Sequence, residues 1–161
     1  MSLIIAGYAA TGKSFLANKY PDKVADLEIS KFKYVNSDAQ HNIPAEQISS
    51  RVLNDAYPQN YIKAIIENIK KYEIVCIGFK EEIIDLIEKN NIKIDYFVMP
   101  SIEAIDKFYE SMLYRGNSRE YINERKSKYM KHFNRHKNKK ETIFLNEGEN
   151  LETVLKQLGI L

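Results

Sequence analysis

The stretch Leu3-Ile4-Ile5-Ala6-Gly7-Tyr8-Ala9-Ala10-Thr11-Gly12-Lys13-Ser14-Phe15 sets the terms for the whole chain. Its first four residues are apolar and read as a short buried strand. From Lys13 to about Tyr20 the pattern is helical, and Pro21-Asp22 ends it. Between strand and helix stand two glycines with four residues between them, then a lysine and a serine. Glycines let the backbone curl so that successive N–H groups point inward, which suits phosphate oxygens. The helix beginning there aims the positive end of its dipole at the same spot. Lys13 adds a full charge within reach of β and γ phosphates, and the Ser14 hydroxyl is a ligand for Mg²⁺.

The spacing satisfies G-x-x-x-x-G-K-[ST], the phosphate-binding P-loop, in the strand-before, helix-after setting that confirms it. Gly7, Tyr8, Ala9, Ala10, Thr11, Gly12, Lys13, Ser14 and Phe15 are therefore the candidate contacts for a nucleoside triphosphate with Mg²⁺, and the motif itself leaves adenine or guanine open.

Working outward, strand-like and helix-like segments alternate. Residues 23–28 read as a second strand, while 30–42 carry no clear pattern. A helix is expected from Pro44 to Asn54, and another after Pro58, where Tyr61, Ile62, Ile65, Ile66 and Ile69 share one face. Glu73 to Phe79 is a continuous apolar strand of the kind buried on both sides of a parallel sheet. A helix over 80–90, a strand from Ile94 to Met99 stopped by Pro100, helices near 102–114 and 118–135, a strand from Thr142 to Leu145 and a helix from Leu151 to Leu158 complete the chain. Such alternation means an α/β sandwich around a parallel sheet. With 161 residues and no repeat or low-complexity linker, a single domain over 1–161 is expected.

Composition sets the outer bounds. Hydrophobic residues make up 44% and charged residues 29%, ordinary for a globular protein. The lone Cys76 excludes an internal disulfide framework and reads as core, which together with the absence of a basic-then-apolar leader points to a cytoplasmic protein. No apolar run approaches the roughly 20 residues of a membrane span, so no membrane partner is expected. Net charge is only +2, yet 125–140 holds eight Lys or Arg, His132 and His136, and no acid. That block is the one hint of an anionic partner. His132 and His136 share a helix face, but with no carboxylate completing a zinc motif they read as solvated, and His41 joins no cluster.

The P-loop at the extreme N-terminus, the acids Asp26 and Glu28 ending the second strand, and an arginine-bearing segment with Arg115, Arg119 and Arg125 before the last strand resemble the small P-loop kinases of nucleotides, nucleosides, shikimate and gluconate. The closing "FLNEGENLETVLKQL" resembles their last strand and helix. The resemblance implies a three-layer α/β/α sandwich with a five-stranded parallel sheet in order 2-3-1-4-5 and a helical lid over about 102–138. It also implies phosphoryl transfer from Mg-ATP to a small acceptor, first of all a nucleotide or nucleoside.

Roles follow from the demands of that reaction, which are positioning and charge stabilisation. Lys13 and Ser14 hold the phosphates and the metal. Asp26 orients the acceptor hydroxyl or supports Mg²⁺ beside Ser14, with Glu28 as its alternate. Arg115 and Arg119, flanking a Gly-Asn-Ser turn, are candidates to fork onto the transferring phosphate, with Arg125 behind them. Arg51, Tyr57 and Tyr61 stand near the expected acceptor side. The third strand lacks the terminal acid that motor and switch ATPases use, since no acid occurs before Glu81. Two alternatives stay open: a 5′-hydroxyl nucleic-acid kinase gripping its substrate with the basic block, and a binding module without turnover. The helix face of Phe108, Tyr109, Met112 and Leu113 reads as core rather than as a dimer contact.

Overall fold

The computed structural model describes residues 1–35 and 51–161. Five strands, β1 (Leu3–Gly7), β2 (Val24–Leu27), β3 (Ile74–Gly78), β4 (Tyr96–Pro100) and β5 (Thr142–Leu145), form one parallel sheet in the order β2-β3-β1-β4-β5. This is the order that the resemblance to small P-loop kinases implies. Consecutive buried residues along β1, β3 and β4 mean that helices cover both faces. The helices are α1 (Lys13–Lys19), α2 (Ile29–Lys33), α3 (Gln59–Asn68), α4 (Glu81–Lys89), α5 (Ile105–Tyr114), α6 (Arg119–His136) and α7 (Leu151–Gln157). Among the described residues none is long and apolar enough to cross a membrane.

β1 lies centrally, and strands on its two sides are reached by crossovers in opposite directions. That arrangement opens a crevice beyond the carboxyl ends of β1 and β3, where ligands of such sheets bind. The register pairs Gly7 with Gly78 at that end. Gly78 is a close approach: a Cβ there would stand 2.5 Å from Ile29 Cδ1 and 2.9 Å from its Cγ1. Ile29 opens α2, one residue after Glu28, so packing at Gly78 fixes where that acid stands. Gly78→Ala is expected to cost about 1–3 kcal/mol by overpacking, measured as a lower unfolding temperature; an unchanged temperature would show that Ile29 repacks freely.

Three expectations change. The helix drawn from Pro44 to Asn54 lies mostly outside the described residues. Its described end, 51–54, is not helical, because Leu53 forms an antiparallel bridge with Tyr34. The helix α2 arises where no pattern was legible. Pro100 is the last residue of β4, paired with Leu145, and its carbonyl accepts from the Tyr129 hydroxyl at 2.6 Å. Phe108, Tyr109 and Met112 are core, as expected, while Leu113 is exposed.

The largest correction concerns His132 and His136, which are not solvated: they are 4% and 0% exposed. Glu81, the first residue of α4, accepts from His132 Nδ1 at 2.6 Å and from His136 Nε2 at 3.1 Å, and also from Arg135 Nη1. Phe79 meets both imidazoles edge-on and Phe97 stacks on His136 at 4.4 Å. Burial opposes ionisation of Glu81, but the hydrogen bonds from His132 and His136 and the Arg135 charge outweigh it, and its carboxyl is held well below the ordinary range. The basic block is thus partly an internal tie between α6 and α4.

Candidate functional site

The P-loop curls as its sequence requires. Gly12 takes φ +95° and Ala10 φ +62°, left-handed conformations that glycine tolerates and alanine adopts under strain. The loop is fastened from both sides. Tyr8 N–H donates to Val98 O of β4 at 2.9 Å, and Leu151 N–H at the start of α7 donates to Thr11 O at 2.8 Å. The Thr11 hydroxyl closes the loop on Tyr8 O at 2.7 Å. Lys13 folds back over Gly7, donating to Gly7 O at 2.8 Å and Tyr8 O at 3.1 Å. A Cβ on Gly7 would stand 2.9 Å from Lys13 Cδ, so a glycine there makes room for the lysine. Burial lowers the affinity of Lys13 for its proton, and the nearby Asp26 and Glu28 charges partly restore it.

The second strand delivers its acids to the same place. Ser14 Oγ donates to Asp26 Oδ2 at 2.6 Å and lies 3.3 Å from Glu28 Oε1. The other oxygen, Asp26 Oδ1, is buried without a hydrogen-bond partner. A hydroxyl on a carboxylate whose second oxygen is orphaned is a donor set of hard oxygens, which fits Mg²⁺ or its waters. Ser14 and Asp26 are the residues that would hold that ion.

These groups form one wall of a cleft of about 1130 Å³. The same cleft is lined by Arg115, Asn117, Ser118, Glu124 and Arg125 from the end of α5 and the first half of α6, by Lys80 just past β3, and by Lys33, Tyr34 and Arg51. Arg115 caps α5 and its Nε donates to Asn117 Oδ1 across the turn at Gly116, φ +96°. Arg125 is 8% exposed, its carbonyl accepts from the Tyr8 hydroxyl at 3.2 Å, and its guanidinium packs on Tyr121 at 5.1 Å. Phe15 is exposed at the cleft edge.

Other candidates stand elsewhere. Arg119 begins α6 exposed and is not among the residues lining the cleft. Tyr61 is fully buried, donating to Leu27 O at 2.7 Å and accepting from Gly78 N–H at 3.2 Å, so it braces β2 against β3. Tyr57 is half-buried and does not line the cleft. Cys76 is core, its thiol pushed up to about 12 by burial. Lys80, Lys33 and Tyr34 are the site residues that sequence reasoning passed over. Lys80 occupies the turn just past β3, where the missing acid drew attention away from the cation present.

No protein-family model matches this chain and no curated protein matches it. Among solved structures, a gluconokinase from Sinorhizobium meliloti 1021 aligns with it at 17% identity over 97% of this chain and 87% of that one, with a TM-score of 0.49.

Proposed function

We propose that this chain transfers the γ-phosphoryl group of Mg-ATP to a small acceptor, a nucleotide or nucleoside. The observation that carries the reading is the convergence of Lys13, Ser14 and Asp26 in one cleft that Arg115 and Arg125 also line. A triphosphate laid on the P-loop would have its outer phosphates beside Lys13, and Mg²⁺, which Ser14 and Asp26 would hold, would supply neutralisation of the phosphate charge.

In the transfer, an acceptor oxygen forms a bond to the γ-phosphorus while the bond to the β–γ bridging oxygen breaks, and ADP leaves with that electron pair. Where the nucleophile is a hydroxyl, its proton passes to Glu28, the alternate acid just past β2, since Asp26 is then engaged on the metal side. Arg115, whose charge is felt at Lys13, balances the charge on the transferring oxygens. The Arg115–Asn117 contact spans a glycine turn, which suits a segment that closes over the substrate and excludes water.

The test is ADP release from ATP and Mg²⁺ against a panel of nucleosides, nucleoside monophosphates, sugars, sugar acids and 5′-hydroxyl oligonucleotides. Release that depends on one small acceptor is the expected result. Acceptor-independent release would make the protein an ATPase, and nucleotide binding without release would leave a binding module. Stimulation by oligonucleotides alone would favour nucleic acid, but Arg135 is engaged by Glu81 and by Asp85 at 2.6 Å and both histidines are buried, which leaves less of the basic block to grip a phosphate backbone.

A further inference from the structure

The far side of the cleft is more basic than transfer from ATP requires. Lys33 arrives from α2, Lys80 from the end of β3 and Arg125 from α6, and all three line the cleft beyond the P-loop. Arg51 stands on the same wall, its guanidinium 4.7 Å from the Tyr34 ring centre. Among the described residues no carboxylate lies within 4.0 Å of Lys33, Arg51 or Lys80. Asp26 and Glu28 are turned to Ser14, and Glu124 is shared by Arg125 and Lys128. Glu82 and Glu124 offset the Lys80 charge only in part, and like charges gathered in one cleft repel one another until an anion completes them.

Two further observations point to such an anion. Arg125 is 8% exposed, yet its Nε is buried without a hydrogen-bond partner while one Nη reaches Glu124 at 3.1 Å. A buried guanidinium donor left open costs free energy that an acceptor oxygen would recover. Burial, reinforced by the Lys33 and Arg125 charges, holds Lys80 down to about 8, a cation waiting for a partner.

We infer that Lys33, Lys80 and Arg125 form a second anion subsite that takes a phosphate monoester carried by the acceptor. Three cationic side chains from three elements match a group with three acceptor oxygens and a charge of about −1.5 to −2. A carboxylate has two oxygens and one charge and leaves the wall undercompensated. Within the proposed phosphotransferase, this selects nucleoside monophosphates over nucleosides as acceptors. That the ligand is an acceptor rests on the proposed phosphotransferase; that the subsite binds it does not.

The experiment measures binding with the P-loop filled by Mg²⁺ and a non-hydrolysable ATP analogue. The probes are the four common nucleoside 5′-monophosphates, their parent nucleosides and a sugar carboxylate. At least one monophosphate is expected to bind tenfold or more tightly than its nucleoside and than the carboxylate. Lys80→Met and Lys33→Ala are each expected to weaken it about tenfold while the analogue's affinity stays within about twofold. Thermal unfolding of both variants confirms the folded state, and Arg125→Lys, which keeps the charge but not the fork, should weaken binding less than either. Nucleosides or the carboxylate binding as tightly as monophosphates would overturn the inference, as would full monophosphate affinity in folded Lys33→Ala and Lys80→Met proteins. If the wild type fails to bind the ATP analogue, the phosphotransferase reading falls; monophosphate binding is then measured alone, and its sensitivity to Lys80→Met still decides the subsite.

Discussion

Lys13→Ala is expected to lower acceptor-dependent ADP release by about 10²–10³-fold, the range seen when one preorganised donor to a developing oxyanion is removed. In the resting site the Lys13 ammonium is satisfied by two backbone carbonyls, Gly7 O and Tyr8 O. It is therefore aimed at the inside of the loop before any ligand arrives. Burial makes its charge expensive there, so exchanging carbonyl dipoles for a phosphate with full negative charge is strongly favourable. Alanine leaves the loop shape to its other fastenings, from Tyr8 to β4 and from Leu151 to Thr11, and the unfolding temperature should barely move. Lys13→Arg should be impaired as well, because a planar guanidinium fork does not reproduce the compact charge that the Gly7 and Tyr8 carbonyls hold in place. A coupled assay for ADP and a thermal scan on the same preparations check both halves. A Lys13→Ala protein with wild-type release would remove the P-loop from the reaction.

How far the sequence could be read follows the separation of the partners. The P-loop was legible because its bonds are local: Lys13 reaches back five and six residues to Tyr8 and Gly7. Asp26 and Glu28 were legible as strand-end acids, and a parallel β2–β3–β1 order delivers such ends to the P-loop. Arg115, at the turn, and Arg125, on the buried face of α6, line the cleft, whereas Arg119, at the first position of α6, is exposed and does not. Periodicity on α6 also held a signal that went unread. Ile122, Arg125, Tyr129, His132 and His136 recur at helical spacing and are all buried, so the two histidines continue an inward face rather than a charged one. What sequence could not supply was their partner. Glu81 reads as an acid favouring the start of a helix, and only the fold brings it across 51 and 55 residues to His132 and His136. Lys80 was missed for a related reason: a lysine after a strand reads as solvated until β3 carries it to the cleft wall between Lys33 and Arg125.

That tie yields the other large effect. Glu81→Leu is expected to destabilise the protein by about 3–5 kcal/mol, the range for removing one partner from a buried ion pair, and to lower the unfolding temperature by roughly 10 °C. Leucine has nearly the volume of the glutamate side chain, so the loss comes from stranding His132, His136 and the Arg135 guanidinium. Arg135 retains Asp85 at 2.6 Å, which softens the effect, while His136, fully buried, retains no carboxylate among the described residues. Glu81→Gln keeps an acceptor oxygen and should fall between the two. The pH dependence has a definite sign. Folding lowers the Glu81 carboxyl below its ordinary value, so its contribution is complete above about pH 4.5 and is lost as the pH falls further. The gap between wild type and Glu81→Gln should therefore be full at neutral pH and shrink in acid. The consequence reaches the cleft, because the same helix presents Arg125 to it three turns before His136. With α6 released from α4, Glu81→Leu should also raise the concentration of acceptor needed for half-maximal rate at temperatures where it remains folded. Equal unfolding temperatures for wild type and Glu81→Leu would mean that the aromatic contacts of Phe79 and Phe97 with the histidines, and not the carboxylate, hold α6 in place.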